Sequence, residues 1–291
     1  APFIDLFFVG EAEEMIVDLV KEYKRLKNKK LSRDEILYKL NNMAGVYVPS
    51  LYQVKNDEGN YMVKTLDDNI KNIIEKQVVE NLDQSFYPTD FIVPYMDIVH
   101  NRGVLEISRG CTRGCRFCAA GMSYRPVRER KKETLIELAD DILESTGYGE
   151  ISLTSLSTVD HSQIEDLTKT MVDKYKENNI SISLSSLRVD EFSVKLAKEV
   201  QKIKKTGLTF APEAGTQRLR DVINKGVSED NLYDAVKSAF NSGWHRIKLY
   251  FMIGLPTETE EDLAGIVKMA KKVLNIGKEI RKNTKKRMKN I

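Results

Sequence analysis

Apolar and polar positions follow two regimes along this chain, and the change comes near residue 104. The opening FIDLFFVG, Phe3 to Gly10, is apolar almost throughout and predicts a buried strand. The segment after it sets Met15, Ile16, Leu19, Val20, Tyr23 and Leu26 at the three-to-four spacing of an amphipathic helix. A second, shorter helix is predicted over SRDEILYKLNNM, with Ser32 as N-cap and Gly45 just beyond its end. VYVPSLYQVKNDEGNYMVKTL then reads as a hairpin, because two β-rich runs flank the turn-forming NDEGN. From residue 67 to about 100 no period holds and prolines stand at 88 and 94, so a connector is expected.

From VLEIS onward, strand-like and helix-like runs alternate. ISLTSLS, ISISLSSL, GLTFAP and HRIKLYFMIG are the later strands, each followed by a helical pattern, with helices also starting near Thr216 and Ser228. Five successive β/α units predict an α/β fold with a parallel sheet and right-handed crossovers. An open doubly wound sheet and a barrel satisfy this pattern equally. The expected divisions are residues 1–60 as a strand–helix unit plus hairpin, 61–100 as a connector, 101–280 as the β/α series and 281–291 as a basic tail. Trp244, Tyr250 and Phe251 are expected in the core around the fifth strand.

Composition narrows the class. The 291 residues are 41% hydrophobic, enough for a sizeable core, which excludes a disordered chain. Charges nearly balance, 46 basic against 43 acidic, so no bulk attraction to nucleic acid follows. The basic excess is local, at RPVRERKK (Arg125 to Lys132) and at RKNTKKRMKN (Arg281 to Asn290). No run approaches the roughly 18 apolar residues of a membrane span, and no signal-peptide pattern is seen, so no membrane partner is expected. The start on Ala1, directly at a strand-like run, reads as a piece of a longer protein.

All three cysteines, Cys111, Cys115 and Cys118, fall in RGCTRGCRFCAAGMSYRPVRER, spaced C-x3-C-x2-C just after the first strand of the β/α series. An odd, clustered set is no disulfide framework, and a reducing cytoplasm suits it better. A structural zinc site asks for four ligands, and His100, His161 and His245 stand at no zinc-finger spacing to these thiols. A 4Fe-4S cube bound by three cysteines leaves one iron without a protein ligand, free to bind and polarise a small molecule. Gly110, Gly114 and Gly121 allow a tight loop, and Arg109, Arg113 and Arg116 place positive charge near it, either beside the cluster or on a solvated face.

With Phe117 as the aromatic before the last cysteine, this constellation resembles the radical S-adenosylmethionine (radical SAM) enzymes. The resemblance implies a partial parallel (β/α) barrel, a 4Fe-4S cluster and S-adenosylmethionine chelated to the open iron. One electron, from a donor such as flavodoxin or ferredoxin, then cleaves the S–C5′ bond and yields a 5′-deoxyadenosyl radical. Metal ligands and catalytic centre would be Cys111, Cys115 and Cys118. The cofactor contacts implied are Phe117; Thr154 and Ser155, where many members carry GGE; Ser185, Arg188 and Asp190 at the next strand end; Glu213, whose other reading is a charge partner at a helix N-terminus; and Ile253 with Gly254 against adenine.

The whole chain looks like one subgroup, with an N-terminal cobalamin-binding-like domain and an unassigned substrate. Residues 1–60 would then be the C-terminal part of that domain plus the hairpin. The ligating D-x-H-x2-G motif is absent, Asp97, His100 and Gly103 forming D-x2-H-x2-G instead, so His100 is read as structural or surface and cobalamin stays doubtful. Substrate is open between RNA and a small molecule, with methyl or methylthio transfer among the outcomes. The rival reading is a nucleic-acid-binding module with a structural cluster, its basic segments gripping phosphates. Tyr124 and Arg125 are assigned either to the substrate mouth or to loop packing, and Arg128 and Glu129 to surface pairs.

Overall fold

The computed structural model of this chain describes residues 3–57, 59–96, 98–185, 189, 191–200 and 208–288. It forms two compact units, Ala1–Tyr87 and Pro88–Ile291.

In the first unit, β1 (Phe7–Phe8) pairs antiparallel with β2 (Val46–Tyr47), across helices α1 (Met15–Asn28) and α2 (Arg33–Leu40). Ser32 caps α2 in a reciprocal box with Glu35, as its sequence predicts. The expected buried strand at the start is not found: β1 is two residues long and Phe3 is 96% exposed. Its only ladder among the described residues is to another two-residue strand, too little pairing to cover an eight-residue apolar run. Likewise only Leu19 and Leu26 of the α1 stripe are buried, with Leu37, Leu40, Val46 and Val48, while Ile16, Val20 and Tyr23 stay exposed. The hairpin is β3 (Tyr52–Asp57) against β4 (Asn60–Thr65), starting later than its sequence suggests because Val46–Tyr47 is already paired to β1.

The second unit carries the alternation. Strand β5 (Gly103–Glu106) opens it; a short β6 (Ser108–Arg109) pairs antiparallel with β7 (Arg128–Glu129), bracketing the cysteine loop and the one-turn helix α3 (Ala119–Ser123). Then come α4 (Lys132–Thr146), β8 (Glu150–Thr154), α5 (Ile164–Tyr175), β9 (Ser181–Leu184), α6 (Glu191–Val200) and β10 (Leu208–Glu213). The series ends with α7 (Gln217–Val222), α8 (Glu229–Asn241), β11 (Ile247–Phe251) and α9 (Glu260–Met288). Strands β5, β8 and β9 form one parallel ladder and β10 with β11 another; no ladder joins the two among the described residues, so no closed barrel is seen.

Leu105 of β5 and Ile151 and Leu153 of β8 are buried, as are Leu135, Ala139 and Ile142 of α4, the helix that packs on β5. Phe210, Leu232, Val236, Ala239, Trp244, Met269 and Val273 fill the core beneath β10. Each fully buried Leu, Ile, Val, Phe or Met among them contributes about 1.5–3 kcal/mol relative to exposure. Trp244 is core as expected, but Tyr250 is 53% exposed and Phe251 half-buried. Among the described residues strand β11 has β10 as its one partner, and it shows a period-two burial pattern, so alternate side chains face away from the core.

One contact fixes the end of β10. A Cβ on Gly215 would meet Asp262 O at 2.2 Å and Ile266 N at 2.4 Å, and one on Gly265 would meet Gly215 O at 2.7 Å. Backbone therefore lies on backbone where the β10–α7 turn meets α9. Beside it, the Asp262 carboxylate, almost fully buried, accepts from the Thr216 hydroxyl, from Arg218, and from the Thr259 amide and hydroxyl at 2.9 and 2.8 Å. Thr216 Oγ1 in turn accepts the Leu219 amide and caps α7.

Candidate functional site

The three cysteines follow β5 and β6, at the C-terminal end of the first parallel strand, where α/β proteins assemble their sites. Gly110 turns the chain at φ +93°, and a Cβ there would meet the carbonyl oxygens of Tyr124 and Pro126, both at 2.7 Å. The loop is thus folded back against the segment that leaves it. Two sulfurs already accept amide hydrogens: Cys111 Sγ from Arg113 N at 3.5 Å and Cys118 Sγ from Gly121 N at 3.3 Å. Burial pushes the Cys115 thiol up, opposed by the Lys225 ammonium and reinforced by Cys111 and Cys118.

All three cysteines line a cavity of about 440 Å³ together with Phe117, Glu213 and Lys225. Lys225 Nζ donates to Glu213 Oε1 at 2.9 Å and lies 5.9 Å from the Phe117 ring centroid. Glu213 sits at φ +69°, in the left-handed region that costs a non-glycine residue energy, where β10 shifts register against β11. Such outliers concentrate at working sites. The loop's far side is held by α7: Arg116 N donates to Ile223 O at 2.9 Å, the Arg116 guanidinium reaches Val222 O, and Asn224 Nδ2 donates to Gly114 O at 2.9 Å. On the other flank Arg113 Nε donates to Asp160 Oδ2 at 2.9 Å.

Of the residues singled out from sequence, the cavity gathers Cys111, Arg113, Cys115, Phe117, Cys118 and Glu213. Thr154 Oγ1 donates to Leu105 O at 3.2 Å, Ser155 Oγ accepts the Ser157 amide at 3.2 Å, and Ser185 Oγ donates to Leu153 O at 3.0 Å. In this loop it is Leu156 and Ser157 that line the cavity. Ile253 is 77% exposed, and Gly254, at φ +85°, donates its amide to Glu258 Oε2 at 2.7 Å, both outside the cavity lining. Arg188 and Asp190 lie outside the described residues. Sequence reasoning passed over Lys225, Asn224 and Asp160. The signal for the first two was the NKG turn after α7, in which Asn224 and Gly226 both take positive φ and present the lysine between them.

Three free thiols on one loop are the donor set that a 4Fe-4S cube with one open iron takes. Among the described residues no three His, Cys, Asp or Glu side chains converge on a metal ion. A single tetrahedral zinc would need its sulfurs within roughly 4 Å of one another, whereas a cube takes each on a separate iron. The rival nucleic-acid reading is weakened at one of its two basic segments: in RPVRERKK, Arg130 is 1% exposed and Lys132 pairs with Asp166 at 2.5 Å, so these two side chains are not held out toward phosphates.

The Radical SAM superfamily model matches residues 105–270, more than half of the chain, and the chain belongs to that family. A second model, Radical SAM proteins, N-terminal, matches residues 1–49. Over 97% of its length the chain is 33% identical to an uncharacterized protein of Methanocaldococcus jannaschii, of which it spans 54%. Over 70% it is 28% identical to an uncharacterized methyltransferase of Pyrococcus horikoshii, spanning 45% of that protein. The chain thus covers about half the length of these relatives. Its fold resembles that of the cobalamin-dependent S-adenosylmethionine radical enzyme OxsB, with TM-score 0.58 and 17% identity over 91% of this chain and 35% of that one. No described helix is long and apolar enough to cross a membrane.

Proposed function

We propose that this chain is the catalytic core of a radical SAM enzyme in which Cys111, Cys115 and Cys118 hold a 4Fe-4S cluster and the cavity beside them receives S-adenosylmethionine. The observation that carries this reading is the meeting, in one cavity, of three thiols with a paired carboxylate and ammonium, Glu213 and Lys225. The amino-acid end of S-adenosylmethionine bears one ammonium and one carboxylate, and this pair offers it one partner of each sign. Both side chains are largely buried, so the exchange of partners takes place away from bulk water. Phe117 gives the same wall an apolar surface.

When bound, the reduced cluster supplies the electron that cleaves the cofactor to a 5′-deoxyadenosyl radical. The residues of this chain hold the thiols in place, orient the methionyl end and limit access of water. The electron comes from a donor such as flavodoxin or ferredoxin. Methyl transfer is the reaction outcome we favour over methylthio transfer, supported by the methyltransferase of Pyrococcus horikoshii among its relatives. His100, exposed and bonded to Arg102 through Nδ1, is assigned to the surface and not to cobalamin.

Anaerobic reconstitution tests the reading. Four irons per chain, a change in the reduced cluster's spectrum on adding S-adenosylmethionine, and 5′-deoxyadenosine formed with dithionite are expected; Cys115→Ala should abolish all three. A wild-type cluster that forms but leaves S-adenosylmethionine intact and its own spectrum unchanged would sink the proposal.

A further inference from the structure

We propose that Asp160 is a positioning residue of the iron site: with Arg113 it tethers the cysteine loop to the β8–α5 connection and holds the three thiols in their cluster-ready arrangement. The inference rests on the functional reading above, and it concerns a residue that is not in the cysteine motif and does not line the cavity.

Arg113 stands between Cys111 and Cys115 and meets Asp160 fork to fork. Nε donates to Oδ2 at 2.9 Å and Nη2 donates to Oδ1. A two-bond guanidinium–carboxylate pair fixes orientation as well as distance, which a lysine or a single hydrogen bond would not. The carboxylate is itself held. Ser157 Oγ donates to Asp160 Oδ2 at 2.7 Å, Asp160 N donates to Ser157 O at 3.1 Å, and the buried Ser157 gives its amide to Ser155 Oγ at 3.2 Å. The chain of bonds therefore runs from the end of β8 to the residue whose amide donates to Cys111 Sγ.

Solvent decides between two uses of this pair. Arg113 and Asp160 side chains are 43% and 29% exposed, and ion pairs so placed add little to global stability. Geometry is what they can supply. The other flank of Cys115 is fixed independently, by Arg116 on the carbonyls that end α7. With Asp160 in place the loop is held on both sides; without it one flank swings.

The test uses Asp160→Asn in the whole chain, since asparagine keeps the shape and an acceptor for Ser157 but loses the charged fork. In the iron-free protein, alkylation of Cys111, Cys115 and Cys118 by iodoacetamide, read by peptide mass spectrometry, should run roughly three- to five-fold faster than in wild type, the range a partly exposed ion pair supports. Melting should stay within about 2 °C. After reconstitution, a chelator should strip iron faster by a similar factor, with Asp160→Glu closer to wild type and Arg113→Lys resembling Asp160→Asn. Unchanged alkylation and iron release would overturn the proposal, as would acceleration accompanied by a large fall in melting temperature. The alkylation arm needs no cluster, so a chain that bound no iron would defeat the functional reading while still reporting on the tether.

Discussion

Arg220→Ala should be among the more damaging single changes outside the cysteines. The side chain is fully buried, and burial depresses its guanidinium below the ordinary arginine range. It donates from Nη1 to Ala214 O and from Nε to Val227 O, both at 2.9 Å, and from Nη2 to Gln217 Oε1 at 3.1 Å. These bonds close residues 214 to 227 into a loop around α7, and that loop carries Asn224 and Lys225 into the cavity. Truncation leaves the two carbonyls without these donors. At roughly 1–3 kcal/mol for each buried group left unsatisfied, the cost is about 2–6 kcal/mol, centred near 4. Glu229 adds little to this, since it lies 3.8 Å away and is 45% exposed, so water can take over its solvation. For a unit of this size about 4 kcal/mol corresponds to a melting shift of roughly 8–16 °C. Thermal melts read by far-UV circular dichroism, together with urea titrations, check the figure. A loss below about 1 kcal/mol would mean that water replaces the guanidinium at both carbonyls, and the reasoning from unsatisfied groups would be wrong.

Gly110→Ala should cost the chain its iron while leaving most of the fold intact, because the new methyl meets two carbonyl oxygens at 2.7 Å within the cysteine loop; bound iron close to four per chain after reconstitution would contradict this. Asp262 gives a pH signature. Its carboxyl is held well below the usual carboxylate range, chiefly by the Thr216 hydroxyl and then by Thr259 and Arg218, against the opposing effect of burial. Because the folded value is depressed, the stabilisation is present above the unfolded value near pH 4 and is lost as pH falls toward the folded one. Asp262→Asn should therefore narrow the gap in melting temperature between pH 7 and pH 3, and parallel profiles for mutant and wild type would refute the assignment.

What could be read from sequence was whatever lies close together in the chain. The cysteines declare themselves because their ligand spacing is local, and the β/α alternation because periods of two and of three to four survive without knowledge of neighbours. Glu213 was named through the resemblance of TFAPEAGTQRLRDVINKG to the family's strand-to-helix segment, and the structure makes it the last residue of β10. Lys225 and Asp160 were not, because their roles arise only when residues 12 and 47 positions away come into contact. The misreadings share one cause. Tyr250 and the FIDLFFVG run are apolar enough for a core, but which face or run is covered depends on how many strands pair beside it, and that number is not encoded locally.

Gly215 and Gly265 leave no room for a side chain between the β10–α7 turn and α9. With no intervening rotamers to absorb a displacement, the two segments travel as one body. Glu213 lies two residues before that seam, and α9, which ends at Met288, continues beyond Gly265 for about 35 Å of helix. A side chain forced into either glycine would therefore displace the turn that carries the carboxylate in the cavity.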